Sequence, residues 1–218
     1  MAQDNNSSQT PDALIKSVTE YVEKYMSHYD GSHDFNHIRR VQALAHTILA
    51  SERERTGRAY DETLVTLGAL LHDVGDKKYL EPGQDATTLV RDALLERGAD
   101  GDLAARVQDL ALHVSFSSEK KDPQKVLDKI AELPELAVVQ DADRLDAIGA
   151  VGVARCMAFT GAKGGTLENA IEHFVEKLEL LEGVMKTETG REMARVRTLR
   201  IKEFRGWWEE EVRLVGSS

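Results

Sequence analysis

Residues 62–79 read ETLVTLGALLHDVGDKKY. From Leu64 to Leu71 the run is apolar on nearly every side of a helix, and such a helix belongs in the middle of a fold. Asp61 stands where a helix cap belongs, so the spacing predicts a helix over 62 to about 73. Its far end is unusual. His72 and Asp73 follow the apolar run directly, although imidazole and carboxylate groups are seldom buried unless a partner offsets their desolvation.

Working outward, the same helical pattern recurs along the chain. Thr10, Pro11 and Asp12 form a helix start, and Leu14, Val18, Val22, Tyr25 and Met26 line one face after it. A second helix carries Ile38, Val41, Leu44, Ile48 and Leu49 and stops near Thr56-Gly57. Further helices are predicted at about 85–97, 100–115, 123–131, 135–160, 166–187 and 190–213, with Trp207 and Trp208 packing the last one. Asn-Gly hairpin turns and long alternating runs of β-branched residues are absent. Residues 1–9 are polar and aperiodic and read as a disordered leader. The expectation is one all-α domain over 10–218, built from eight or nine helices.

Composition narrows the function. The chain has 218 residues, 41% of them hydrophobic and 30% charged, with a net charge of −10. No run of five lysines or arginines occurs, which argues against a nucleic-acid partner, because phosphate neutralisation supplies most non-specific affinity. A small phosphorylated substrate needs only a local positive site. The single cysteine, Cys156, excludes an intramolecular disulfide and an all-thiolate zinc site. With no apolar run of about 18 residues, no membrane partner is expected and the chain reads as cytoplasmic. An apolar face on the terminal helices would support a homodimer.

Seven histidines are present, and three stretches set histidine or aspartate at the junction with an apolar run. Beyond His72-Asp73, GSHDFNHIRRV (31–41) sets His33 and His37 four apart around Asp34. VVQDADRLDAIG (138–149) holds Asp141, Asp143 and Asp146. On a helix Asp143 and Asp146 share a face, whereas Asp141 lies roughly 200° from Asp143. Two readings fit these junctions. His72 is a hydrogen-bonded core histidine beside a helix-end acid, or the three stretches converge on a metal ion.

The second reading gains from resemblance. A histidine, an adjacent His-Asp pair and a distant aspartate are the signature of the HD-domain superfamily of metal-dependent phosphohydrolases. His37, His72-Asp73 and Asp143 match it in order, 35 and then 70 residues apart. SHDFNHIRRV, ALLHDVGDKK, DADRLDAIGAVGVAR and HFVEKL resemble a bacterial and fungal subgroup of small stand-alone members, some of them nucleotide pyrophosphohydrolases. The resemblance implies an all-α fold with His37, His72, Asp73 and Asp143 around one divalent cation, Asp141 being the alternative to Asp143. Two imidazoles and two carboxylates suit manganese foremost, with Mg²⁺, Fe²⁺, Co²⁺ or Ni²⁺ as alternatives.

It also implies a reaction. The substrate would be a small phosphorylated compound, a nucleotide, and a triphosphate would be cut to monophosphate and pyrophosphate. A 5′-nucleotidase releasing phosphate uses the same ligands. A di-iron oxygenase of this superfamily needs a pair of extra histidines before the last aspartate, and only His113 stands there. Asp76, three residues after Asp73, occupies the position of a catalytic acid in related nucleotide hydrolases. Phosphoryl transfer rests on positioning and charge neutralisation. Lys77, Lys78 and Arg40, which shares a helical face with His37, are therefore candidate substrate contacts. His33, His113, His173 and Lys177 complete the set.

Overall fold

The structure, a computed structural model, describes residues 10–27, 34–76, 80 and 82–213. Its helices in order are α1 (Pro11–Met26), α2 (Phe35–Thr56), α3 (Glu62–Leu71), α4 (Leu89–Glu96), α5 (Gly101–Val114) and α6 (Phe116–Lys121). Then come α7 (Pro123–Glu132), α8 (Glu135–Asp146), α9 (Gly149–Ala162), α10 (Leu167–Glu176), a 3-10 helix (Leu178–Val184) and α11 (Glu188–Arg213). The fold is all-α, and no strand occurs among the described residues.

Short polar side chains start many of these helices. Asp34, Asp61, Asp100 and Asp122 accept from the backbone N–H groups of His37, Leu64, Leu103 and Lys125. Thr166 and Asn169 form a reciprocal capping box at α10. Each cap is worth about 1 kcal/mol. Thr10 occupies the cap position of α1 but makes no side-chain bond there, so Pro11 and the buried Leu14, Val18, Val22 and Met26 hold that helix.

A helix of ten residues is marginal by itself, and α3 is stable because of where it lies. Every residue from Leu64 to Leu71 is buried. It packs against α1, α2, α5 and α8. Burying Leu64, Leu67, Leu70 and Leu71 contributes roughly 1.5–3 kcal/mol each before conformational entropy is subtracted. The other central helix is α8, in which Asp143 alone is not buried. One connected cluster of buried side chains runs from Leu14 to Ile201.

Four features depart from the sequence reading. The chain forms eleven α-helices among the described residues rather than eight or nine, because α6 is an additional short turn of helix and the span 135–160 divides into two. The helix expected over 135–160 bends by 68° between α8 and α9. At that bend Gly149 takes φ +76°, left-handed backbone that most side chains disfavour, and it lies against Arg197. The helix expected over 166–187 stops at α10 and tightens into the 3-10 helix. Trp207 is 60% exposed, so it does not pack the last helix. Among the described residues no single helix is long and apolar enough to cross a membrane.

Candidate metal centre

Three chain segments meet where α2 starts, α3 ends and α8 passes. Asp34 caps α2 and places His37 in its first turn, where the imidazole is 1% exposed. α3 stops at Leu71, and His72 to Gly75 form a turn in which Val74 N–H bonds Leu71 O at 3.0 Å. Gly75, at φ +87°, completes the reversal, and its N–H donates to the Tyr25 hydroxyl at 3.3 Å. The helix is thus two residues shorter than its pattern suggests, and His72-Asp73 sit at the turn rather than within it.

The side chains converge tightly. His37 Nε2 lies 3.2 Å from His72 Nε2, 3.4 Å from Asp73 Oδ2 and 3.6 Å from Asp143 Oδ1. His72 Nε2 lies 3.6 Å from Asp73 Oδ1 and 3.7 Å from Asp143 Oδ1. Ligand atoms of His37, His72 and Asp143 all fall within 4.8 Å of one another. Ligands bound about 2.1 Å from an ion and at right angles sit about 3 Å apart, so this spacing is near that of a coordination shell.

Hydrogen bonding fixes which nitrogens carry protons. His72 Nδ1 lies 2.9 Å from Ala69 O, a carbonyl that can only accept, so Nδ1–H donates. His37 Nδ1 donates to Asp146 Oδ2 at 2.8 Å. With a single proton on each ring, both Nε2 atoms turn lone pairs towards each other and towards two carboxylates. Four acceptors facing one point repel unless a cation joins them, and a proton or a metal ion can be that cation. Burial lowers the basicity of His72, but Asp73 and Asp143 outweigh it and push its pKa up to about 9. Partial burial raises the Asp143 pKa, and the bond and charge of His72 with the charge of His37 bring it below the ordinary value. The donor set fits a borderline divalent ion, and neutral imidazole with carboxylate is its ordinary ligand chemistry.

The other two acids of this part of α8 face elsewhere. Asp141 is fully buried and accepts from Lys186 N–H at 2.8 Å and from Thr187 N–H and Oγ1–H at 2.7 Å each. It ties α8 to the start of α11, as Glu52 does from α2 through Thr189. Asp146 lies behind His37. Its carboxylate receives His37, Arg40 through Nε at 2.7 Å and Nη2 at 3.0 Å, and Arg155 through Nη1 at 2.8 Å. Burial raises its pKa, but His37, Arg40 and Arg155 hold it well below the carboxylate range.

The remaining candidates are dispersed. Arg40 bonds Asp146 and, with Arg39 and Arg155, walls a groove of about 730 Å³ between α2 and α9. His173 and Lys177 line a second cavity, of about 300 Å³, with Arg155, Cys156 and Phe159. Burial and the charge of Lys177 lower the His173 pKa. His113 is turned back along α5, where its Nδ1 bonds Asp109 O at 2.7 Å, and it does not join the trio. Asp76 is half-buried after Gly75, with its N–H on Asp73 O at 3.3 Å. His33, Lys77 and Lys78 lie outside the described residues. The sequence reading assigned no role to Asp146 or Arg155. The three-residue spacing of Asp143 and Asp146 hints at the first, but only the bend at Gly149 brings the second to it.

Comparison with known proteins agrees with this geometry. The profile of the family described as HD domain matches residues 34–148, more than half of the 218, including all four converging residues. The Bacillus subtilis protein YpgQ is 36% identical over 186 residues, spanning 84% of this chain and 85% of its own. The crystal structure of YpgQ in complex with ADP matches with a TM-score of 0.72 at 33% identity, covering 91% of this chain and 97% of that one. An HD-superfamily hydrolase from Bacillus thuringiensis matches with a TM-score of 0.69 at 27% identity, covering 94% and 99%.

Proposed function

The chain belongs to the HD domain family, and from that premise we propose that it is a metal-dependent phosphohydrolase acting on nucleotides. The observation that carries this reading is the inward turn of both imidazole Nε2 lone pairs onto the carboxylates of Asp73 and Asp143. His37, His72, Asp73 and Asp143 hold one divalent ion, manganese foremost. Such an ion draws charge from a phosphoryl oxygen and makes water a stronger acid. The nucleotide class is supported by YpgQ, which binds ADP in its crystal structure.

The reaction we favour cleaves a nucleoside triphosphate. Water oxygen bonds to the α-phosphorus, the bond to the α–β bridging oxygen breaks, and pyrophosphate leaves. Asp76 receives the proton of the attacking water. Its place after the sharp turn at Gly75 leaves the carboxylate next in chain to the proposed metal ligands rather than inside the core. Lys77 and Lys78 follow it and supply positive charge for the phosphates, together with His33 and Arg40. Lys177 and Arg155, beside the imidazole of His173, give the smaller cavity a cationic wall suited to the same substrate.

Purified protein is stripped with chelator, reloaded with Mn²⁺, Mg²⁺, Co²⁺ or Ni²⁺, and offered nucleoside tri-, di- and monophosphates. Pyrophosphate release from a triphosphate, dependent on the ion, is expected. Phosphate released from monophosphates alone identifies a 5′-nucleotidase instead. No hydrolysis with any of the four ions overturns the reading.

A further inference from the structure

Asp146 is 1% exposed, yet it is surrounded by donors. Its Oδ2 takes His37 Nδ1–H at 2.8 Å, Arg155 Nη1–H at 2.8 Å and Arg40 Nη2–H at 3.0 Å, while Oδ1 takes Arg40 Nε–H at 2.7 Å. The donors come from α2 and α9, so the carboxylate is braced from both sides of the bend. Arg40 lies one turn beyond His37 on α2, and Arg155 folds back from α9. What sets this link apart from a structural one is its third partner, a buried imidazole that points its other nitrogen at His72.

We infer that Asp146 is the positioning residue of the proposed metal centre, fixing His37 as the Nδ1–H tautomer with the Nε2 lone pair directed inward. The inference rests on the metal reading given above. A carboxylate accepting from the distal nitrogen of a ligating imidazole sets ring orientation and strengthens the other nitrogen as a donor to metal. Arg40 and Arg155 hold the carboxylate so that it cannot swing away from the ring. Arg40, whose sequence position suggests a phosphate contact, here has its Nε and Nη2 directed at Asp146. Arg155 also forms a wall common to the groove and the smaller cavity, so the residues facing both spaces meet at one carboxylate.

The full chain, labelled with ¹⁵N at histidine, reports the tautomer directly, with the His37 signal identified by its loss in His37→Gln. A protonated Nδ1 is expected in the Mg²⁺-loaded protein, and a bare Nδ1 overturns the inference whether or not any variant folds. Calorimetric titration with Mn²⁺ is the second arm. Asp146→Asn, confirmed folded by circular dichroism, should bind Mn²⁺ about 10- to 100-fold more weakly than the parent. Arg155→Gln removes one brace but keeps the His37–Asp146 bond and should weaken Mn²⁺ binding less than Asp146→Asn does. Parental affinity in folded Asp146→Asn overturns the positioning role. A parent chain that binds no Mn²⁺ overturns the metal reading instead, and the tautomer measurement still decides the role of Asp146.

Discussion

Two buried carboxylates in this molecule are each gripped by a pair of cations, and they serve different ends. Asp146 meets Arg40 and Arg155, while Glu119 meets Arg144 and Lys186, the latter through Nζ at 2.5 Å. Asp146 and Arg144 are even close neighbours on α8. The difference lies in the third partner. Asp146 also holds an imidazole whose other nitrogen faces three further acceptors, whereas Glu119 joins α6 to α8 and to the approach to α11, with Arg144 Nη1 donating onward to Val184 O at 2.9 Å. A compact ionic triad is therefore no sign of chemistry by itself. Acceptors converging on one point are a better one.

The sharpest way to break this contrast is to open the converging side. His72→Ala removes one of four proposed ligands and should abolish stoichiometric Mn²⁺ binding, read by calorimetry on protein that still folds. Folding should survive, since His72 lies past the end of α3 and the apolar contacts of Leu64 to Leu71 remain. Retained binding at one ion per chain would remove the distinction between the two triads. Opening the other triad should do the opposite. Glu119→Gln leaves Arg144, which is 2% exposed, without its counter-charge and should cost about 3 kcal/mol of stability. Its Mn²⁺ affinity should match the parent's.

Between these lies the catalytic proposal. Asp76→Asn keeps size and an acceptor oxygen but loses basicity. It should retain metal, keep KM within a few fold and lose about 100-fold in kcat, the low end of what general-base catalysis supplies. Near-normal turnover in the metal-loaded variant would leave the water without this base. Loss of metal would make Asp76 a ligand.

How much of this was legible in the sequence varies with the range of the interaction. α3 was visible because eight consecutive buried residues leave a continuous apolar run, and α1 and α2 because one face of each repeats at helical spacing. The bend between α8 and α9 was not, since Ile148 and Gly149 continue an apolar helical pattern, and the left-handed backbone of Gly149 lies against Arg197, 48 positions later, which local periodicity does not reveal. His37, His72, Asp73 and Asp143 were legible through their resemblance to a family signature, and the structure brings them to one point. Asp146 and Arg155 were not, because their meaning comes from that bend. The distinction between Asp141 and Asp143 follows from helical phase once α11 is in place. One carboxylate faces its N-terminus and the other faces the imidazoles.

That distinction gives the mildest prediction, and its pH dependence separates it from Glu119. Lys186 touches both groups, its backbone N–H on Asp141 and its Nζ on Glu119. Burial raises the Asp141 pKa above its ordinary value, more than the Thr187 and Lys186 bonds lower it. For Glu119 burial also raises the pKa, but the Lys186 bond and the Arg144 charge prevail and lower it overall. The linkage signs are therefore opposite. Stability from Glu119 is present above its unfolded value of about 4.3 and fades as pH falls through the lower folded value, so the deficit of Glu119→Gln should shrink on acidification. Asp141 contributes fully below its unfolded value of about 3.9 and loses that contribution as pH rises through its raised folded value. Asp141→Asn should thus be only about 1 kcal/mol less stable than the parent at pH 7, one amide being a poorer acceptor for three donors. Its deficit should widen as pH falls towards 4, while Mn²⁺ affinity measured near neutrality stays parental. Denaturant midpoints of both variants and the parent between pH 7 and pH 4 check this. Deficits that move in the same direction would mean that the two carboxylates sense one shared field, and weakened Mn²⁺ binding in Asp141→Asn would place Asp141 in the metal centre after all.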